Sequence, residues 1–176
     1  IAMWALGLDS TGPTEIAGRC EFPQVENGYN VATRFDTKMT FANGSTVVLN
    51  SEPGGSILIE GDEGRILVNR GRLVGKPIED LTDADREWLE AEADKLYGAK
   101  QPGSHMRNFF ECVKDRGQPI SDVYTHHRTV SACHLANIAM RLGRKLTWDS
   151  ASEQFPSDEE ENAMLSRPQR AGYEIV

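Results

Sequence analysis

The segment from Val31 to Phe41 constrains this chain more than any other. Val31, Thr33, Phe35, Thr37, Met39 and Phe41 occupy every second position, with Ala32, Arg34, Asp36, Lys38 and Thr40 between them. Successive side chains of a β-strand point to opposite sides, so the alternation predicts one long half-buried strand. Asn43-Gly44 follows, and both residues tolerate positive φ, which suits a tight hairpin into Thr46-Val47-Val48-Leu49. Glu15 to Phe22 alternates in the same way. Three short strands come next, Ser56 to Glu60, Arg65 to Asn69 and Arg72 to Val74, separated by Gly61-Asp62-Glu63-Gly64 and Arg70-Gly71. A parallel return needs a dozen or more residues, so strands this closely spaced are antiparallel.

Helices take over afterwards. Thr82 sets a hydroxyl cap before Asp83-Ala84-Asp85, opening a helix to about Tyr97 that Gly98 stops. Ser104 caps the next, where Met106, Phe109, Phe110 and Val113 recur at i, i+3, i+4 and i+7 before Gly117 ends it. A third helix runs from about His126 to Leu142. Its wide apolar arc carries Ala132, Leu135, Ala136, Ile138, Ala139, Met140 and Leu142, with His134, Asn137 and Arg141 as a narrow polar stripe. Lys145 to Trp148 adds a further strand, and the acidic run from Ser157 to Glu161 opens a short helix. Strands followed by helices give an α+β fold: an open, mostly antiparallel β-sheet with helices packed on one face. If Phe35, Met39 and Phe41 lie with Val47 on the opposite face, that face is too apolar for a monomer, and a second copy would cover it in a sheet-to-sheet homodimer.

A length of 176 residues allows one domain with a full core, so Cys20, Cys112 and Cys133 are not needed as scaffold. They form no C-x-x-C pair, which fits a reducing compartment, and Cys133 is expected in the core. A net charge of -8 disfavours a nucleic-acid or anionic membrane surface as partner. No run of about 18 apolar residues marks a membrane span. Ile1 to Gly7 begins without a cap and reads as the second half of a helix ending at Gly7, as if cut from a longer protein; the compartment therefore stays open, cytoplasmic by default.

Neither G-x-G-x-x-G nor G-x-x-x-x-G-K-[ST] occurs, and Gly61-Asp62-Glu63-Gly64 places acids where a phosphate would sit. No G-x-S-x-G elbow surrounds a serine. His127 and His134 stand seven residues apart, about 10.5 Å along a helix, too far for one ion, so no metal site is expected. His126-His127-Arg128 at a helix start is more suggestive, because imidazoles there can meet an anionic or hydroxylated ligand.

Three segments together, Ile1 to Gly7, Gly61 to Ile66, and Asn137-Ile138-Ala139-Met140-Arg141-Leu142-Gly143-Arg144-Lys145-Leu146-Thr147-Trp148-Asp149, resemble the C-terminal domain of the glucose-fructose oxidoreductase and myo-inositol dehydrogenase family. The ending Asp158-Glu159-Glu160 through Leu165-Ser166-Arg167-Pro168 is similar to that of a planctomycete-type branch of NADH-dependent dehydrogenases. The resemblance covers essentially the whole chain, residues 1–176, as a substrate and dimerisation domain. It implies a separate N-terminal Rossmann domain binding NAD or NADP, hydride transfer on a sugar, inositol or related polyol, and assembly as a dimer or tetramer through the open sheet. The family's catalytic Lys and H-x-x-D motif would precede Ile1, so the resemblance implies no catalytic or cofactor-binding residue here and an inactive fragment. What it leaves to this chain is a substrate wall: Glu52 and Ser56 in the loop Glu52-Pro53-Gly54-Gly55-Ser56, with His126, His127 and Arg128. The competing reading is a non-catalytic carbohydrate-binding or assembly module of the same fold.

Overall fold

The computed structural model describes residues 1–52, 55–97, 104–156 and 159–175. In chain order the elements are α1 Ala2–Ala5, β1 Glu15–Glu21, β2 Arg34–Thr40, β3 Thr46–Asn50, β4 Ile57–Gly61, β5 Gly64–Asn69, β6 Arg72–Val74, α2 Lys76–Glu79, α3 Asp83–Tyr97, α4 His105–Asp115, α5 Val123–Leu142, β7 Leu146–Thr147 and α6 Glu159–Ala163. They are α+β in class, as the order of strands and helices implies. The strands divide into two sheets rather than one, β3-β2-β1-β7 and β4-β5-β6, all pairings antiparallel. The chain falls into two compact units, Met3–Ser51 with the chain from His127 onward, and Glu52–His126.

In the first unit, register decides what the sheet presents. Met39 stands opposite Ile16 and Val47, and Thr37 opposite Gly18 and Leu49. Met39, Phe41 and Val47 are buried in one cluster with Ala132, Leu135, Ile138 and Ala139 of α5 and with Leu146, Trp148 and Phe155. The apolar side of β2 is therefore the core side, with Phe35 half-buried at its end. The other side carries Arg19 across from Asp36, Glu21 across from Arg34, and Lys38 between Ala17 and Val48. The expectation that Phe35, Met39 and Phe41 make a bare apolar face is corrected: Met39 and Phe41 are buried in the cluster that α5 shares and Phe35 is half-buried, so the side left for a sheet-to-sheet contact is the polar one. Val31 and Thr33 precede the strand and are exposed. The hairpin forms, but only Gly44 takes positive φ, at 87°. Gly44 N donates to Phe41 O at 2.9 Å and Phe41 N to Ser45 O at 3.0 Å, so the loop is Ala42-Asn43-Gly44, one residue longer than a two-residue turn. The Asn43 side chain accepts from Ser45 N at 3.0 Å instead of bending its own backbone.

In the second unit, β4, β5 and β6 form a meander whose first turn is Asp62-Glu63, between the paired Gly61 and Gly64. Thr82 caps α3: its hydroxyl accepts from Asp85 N at 3.2 Å while Thr82 N donates to the Asp85 carboxylate at 2.8 Å. The expected stop at Gly98 lies outside the described residues. Ser104 caps α4 by accepting from Arg107 N at 3.1 Å. At its other end Arg116, not Gly117, takes the left-handed conformation, at φ 55°. Met106, Phe109, Phe110 and Val113 share a face as their spacing predicts, but that face is exposed and the residues turned inward are Asn108 and Cys112. Among the described residues, every member of the buried hydrophobic cluster belongs to the first unit.

α5 begins three residues before the expected start, because Asp122 caps it, its carboxylate accepting from Tyr124 N at 2.9 Å and Thr125 N at 3.0 Å. Ala132, Leu135, Ala136, Ile138 and Ala139 are buried as the apolar arc requires. Cys133 is exposed rather than in the core, one position off that arc. Ser157 and Asp158, expected to open α6, lie outside the described residues.

Candidate functional site

A cavity of about 710 Å³ runs beside α5 in the first unit. One wall is the polar stripe of the helix, Ser131, His134, Asn137 and Arg141, with His127 a turn earlier; the opposite wall is Ala163 to Arg167. Fourteen residues separate His127 from Arg141, so the lined stretch is about 21 Å long. What the sequence offers as a solvated stripe is the side of a groove.

Two packing features hold the groove in shape. Trp148 and Phe155 meet edge to face with centroids 4.9 Å apart, both buried, and fix the ends of the turn between them. Asp149 N donates to Gln154 O at 3.0 Å and Gln154 N returns to Asp149 O at 3.3 Å. The Asp149 carboxylate accepts from Ala151 N at 2.9 Å and from Ser152 Oγ at 2.6 Å, and these bonds, the Ser152 hydroxyl first, hold its pKa below the usual value. The second feature is α6. Asn162 Nδ2 donates to Phe155 O at 2.7 Å and Asn162 Oδ1 accepts from Phe155 N at 3.0 Å, which ties the helix to the core. The buried Glu161 carboxylate pairs with Arg144.

The turn presents Glu153 to the groove at φ 55°, a left-handed conformation unusual for a side chain of this kind. Its Oε1 accepts from Arg128 Nη1 at 2.8 Å and lies 2.8 Å from His127 Nε2. Arg128 Nη1 also donates to Ser150 O at 2.8 Å. One carboxylate thus gathers an imidazole and a guanidinium from successive positions of α5. Of the five residues expected at a substrate wall, His127 and Arg128 are brought together in this way. His126 is exposed and takes no part in lining the groove, which is built from residues 127–167. Glu52 and Ser56 belong to the second unit, where both are exposed, and Pro53 and Gly54 between them lie outside the described residues. Sequence reading missed Glu153, Ser131, Ser166 and Arg167. The visible signal was the turn-forming Asp149-Ser150 after Trp148, which places a carboxylate at its far end.

Arg141 donates from Nη2 to Asn30 O at 3.3 Å, and its guanidinium carbon sits 5.4 Å from the Phe22 ring centroid. Behind it, Cys20 Sγ contacts Met140 O at 3.6 Å, and burial pushes its thiol pKa up against the opposing pull of Arg141. Cys20 is half-buried, and the raised pKa disfavours the thiolate that a nucleophile needs. Among the described residues no group of three His, Cys, Asp or Glu stands close enough to hold a metal ion. Among the described residues, the turn flanked by Gly61 and Gly64 joins antiparallel strands and offers two carboxylates, where a dinucleotide phosphate needs backbone amides at a helix start.

Residues 2–175 match the family model described as the oxidoreductase family, C-terminal alpha/beta domain. No curated protein matches the sequence.

Proposed function

Because this chain belongs to the oxidoreductase family as a C-terminal domain of that family, we propose that it is the substrate-binding and oligomerisation part of an NAD(P)-dependent enzyme acting on a sugar, inositol or related polyol by hydride transfer. The observation that carries the reading is the groove on α5, where His127 is oriented by Glu153 at 2.8 Å beside a row of hydrogen-bonding side chains. Hydroxylated ligands are recognised by such rows of directional donors and acceptors. An imidazole held by a carboxylate is positioned to hydrogen-bond a ligand hydroxyl. The described residues offer no cradle for the NAD(P) phosphates, so the cofactor, the hydride from the carbinol carbon and the proton from its hydroxyl oxygen are assigned to a separate dinucleotide-binding domain. Assembly through the outer side of β3-β2-β1-β7 would be a polar contact of Arg19, Arg34, Asp36 and Lys38, weakened by salt.

The test is calorimetric titration of the chain with glucose, myo-inositol and NADH. Saturable polyol binding without NADH binding is expected. Saturable NADH binding overturns the division of labour, and failure of every polyol overturns the substrate wall. Sedimentation at two salt concentrations checks the assembly.

A further inference from the structure

We propose that the groove on α5 takes an anionic group, a carboxylate or a phosphate, carried by a small hydroxylated molecule. The proposal rests on the reading that this groove is the substrate wall, and narrows the substrate class to acidic or phosphorylated sugars and polyols. Three observations carry it.

The first is the imbalance of charge. The lining holds two guanidiniums, Arg141 and Arg167, and one carboxylate, Glu153. That carboxylate is already engaged by Arg128 and His127, so it does not neutralise the rest of the groove. In a chain of net charge -8, a walled concavity with a cationic lining runs against the overall balance. The second is the set of uncommitted polar groups. Ser131, His134, Asn137, Ser166 and Arg167 line the groove, and among the described residues none of their side chains makes a hydrogen bond or ion pair within the protein. Arg141 has a single long bond, 3.3 Å to Asn30 O, with its guanidinium carbon 5.4 Å from the Phe22 ring centroid, so most of its N–H groups have no partner among the described residues. The third is chemical type. Guanidiniums present donors in a rigid fork matched to a carboxylate or phosphate, and charge-assisted bonds of this kind are about twice as strong as neutral ones. Asn137 and the two hydroxyls, Ser131 and Ser166, suit the ligand's alcohol groups.

The experiment titrates the chain by calorimetry with glucose, glucuronate, glucose 6-phosphate and inorganic phosphate, and repeats it with Arg167→Gln. Arg167 is exposed, so the variant leaves the fold intact. The expected result is that glucuronate or glucose 6-phosphate binds at least about ten-fold more tightly than glucose, that Arg167→Gln removes most of that preference, and that added salt weakens it. Glucuronate against glucose 6-phosphate identifies the carboxylate or the phosphate as the group read, and inorganic phosphate shows whether the sugar is needed. Glucose binding as tightly as both anions overturns the proposal and leaves the polyol reading standing. Anion binding that Arg167→Gln leaves unchanged overturns the assignment to this groove. No binding of any of the four overturns both.

Discussion

Thr37 is fully buried at the middle of β2, and its hydroxyl has no hydrogen-bond partner in the protein. It sits against Gly18, where an added Cβ would fall 3.0 Å from Thr37 Oγ1 and 3.0 Å from Met140 Cγ, so the space on that side is closed. An unsatisfied buried hydroxyl costs about 1–3 kcal/mol, and removing it without changing shape recovers part of that. Thr37→Val is expected to raise stability by about 1 kcal/mol in urea unfolding; a loss of similar size would mean that the hydroxyl has a partner. Glu153 poses the converse case. A left-handed side chain costs about 1–2 kcal/mol relative to glycine, while the part-exposed ion pair with Arg128 returns about 0.2–1 kcal/mol. Glu153→Gly is therefore expected to change stability by less than about 1 kcal/mol, while removing the one acid from the groove lining and freeing Arg128 and His127. If the groove reads anions, this variant binds them several-fold more tightly, measured by the same calorimetry.

At the scale of elements, glycines with positive φ differ in what surrounds them. Gly75, between β6 and α2, has φ 138°, and a Cβ there would lie 2.2 Å from the backbone oxygen of Arg65. Gly44 has φ 87° with nothing within 4 Å of the same position. Gly44→Ala is expected to cost about 1 kcal/mol from backbone conformation alone. Gly75→Ala, which must also displace a strand, should cost on the order of 2–3 kcal/mol. Hydrogen exchange of β5 amides separates the two, since only the second variant should loosen that strand. Most of these elements were legible in advance, because hydrophobic period and caps such as Thr82 and Ser104 are local properties. The faces were less so. Period shows that Met39 and Phe41 share a side, and equally that Phe109 and Phe110 do, but it does not say which side meets a helix. One pair is 2% exposed, the other 50% and 55%. Asp122 was overlooked as the start of α5 because Tyr124 and Val123 carry no helical signal of their own.

Across the whole molecule, what escaped the sequence is long-range. The first sheet gains its fourth strand only when β7 returns to pair with β1 after more than a hundred residues, with Leu146 placed opposite Ile16. Glu153 joins the α5 groove through a contact 25 residues away from Arg128. A single sequence records neither. The same structure sets how the protein responds to acid. Asp85, Asp122 and Asp149 all have pKa values below the ordinary carboxylate value, held down chiefly by the side-chain hydroxyls of Thr82, Thr125 and Ser152. Unfolding releases those bonds and returns each group to about 3.9, so below roughly pH 5 the unfolded chain binds more protons than the folded one. Their contribution is fully present above the unfolded value and is lost as pH falls through the lowered folded values. Urea midpoints should hold steady from pH 7 to about pH 5 and decline below it. Asp122→Asn keeps an acceptor for the amides of Tyr124 and Thr125 but no longer titrates, so its midpoint should be lower at neutral pH and fall less steeply in acid. An unchanged acid slope in that variant would remove Asp122 from the set and leave the decline to Asp85 and Asp149.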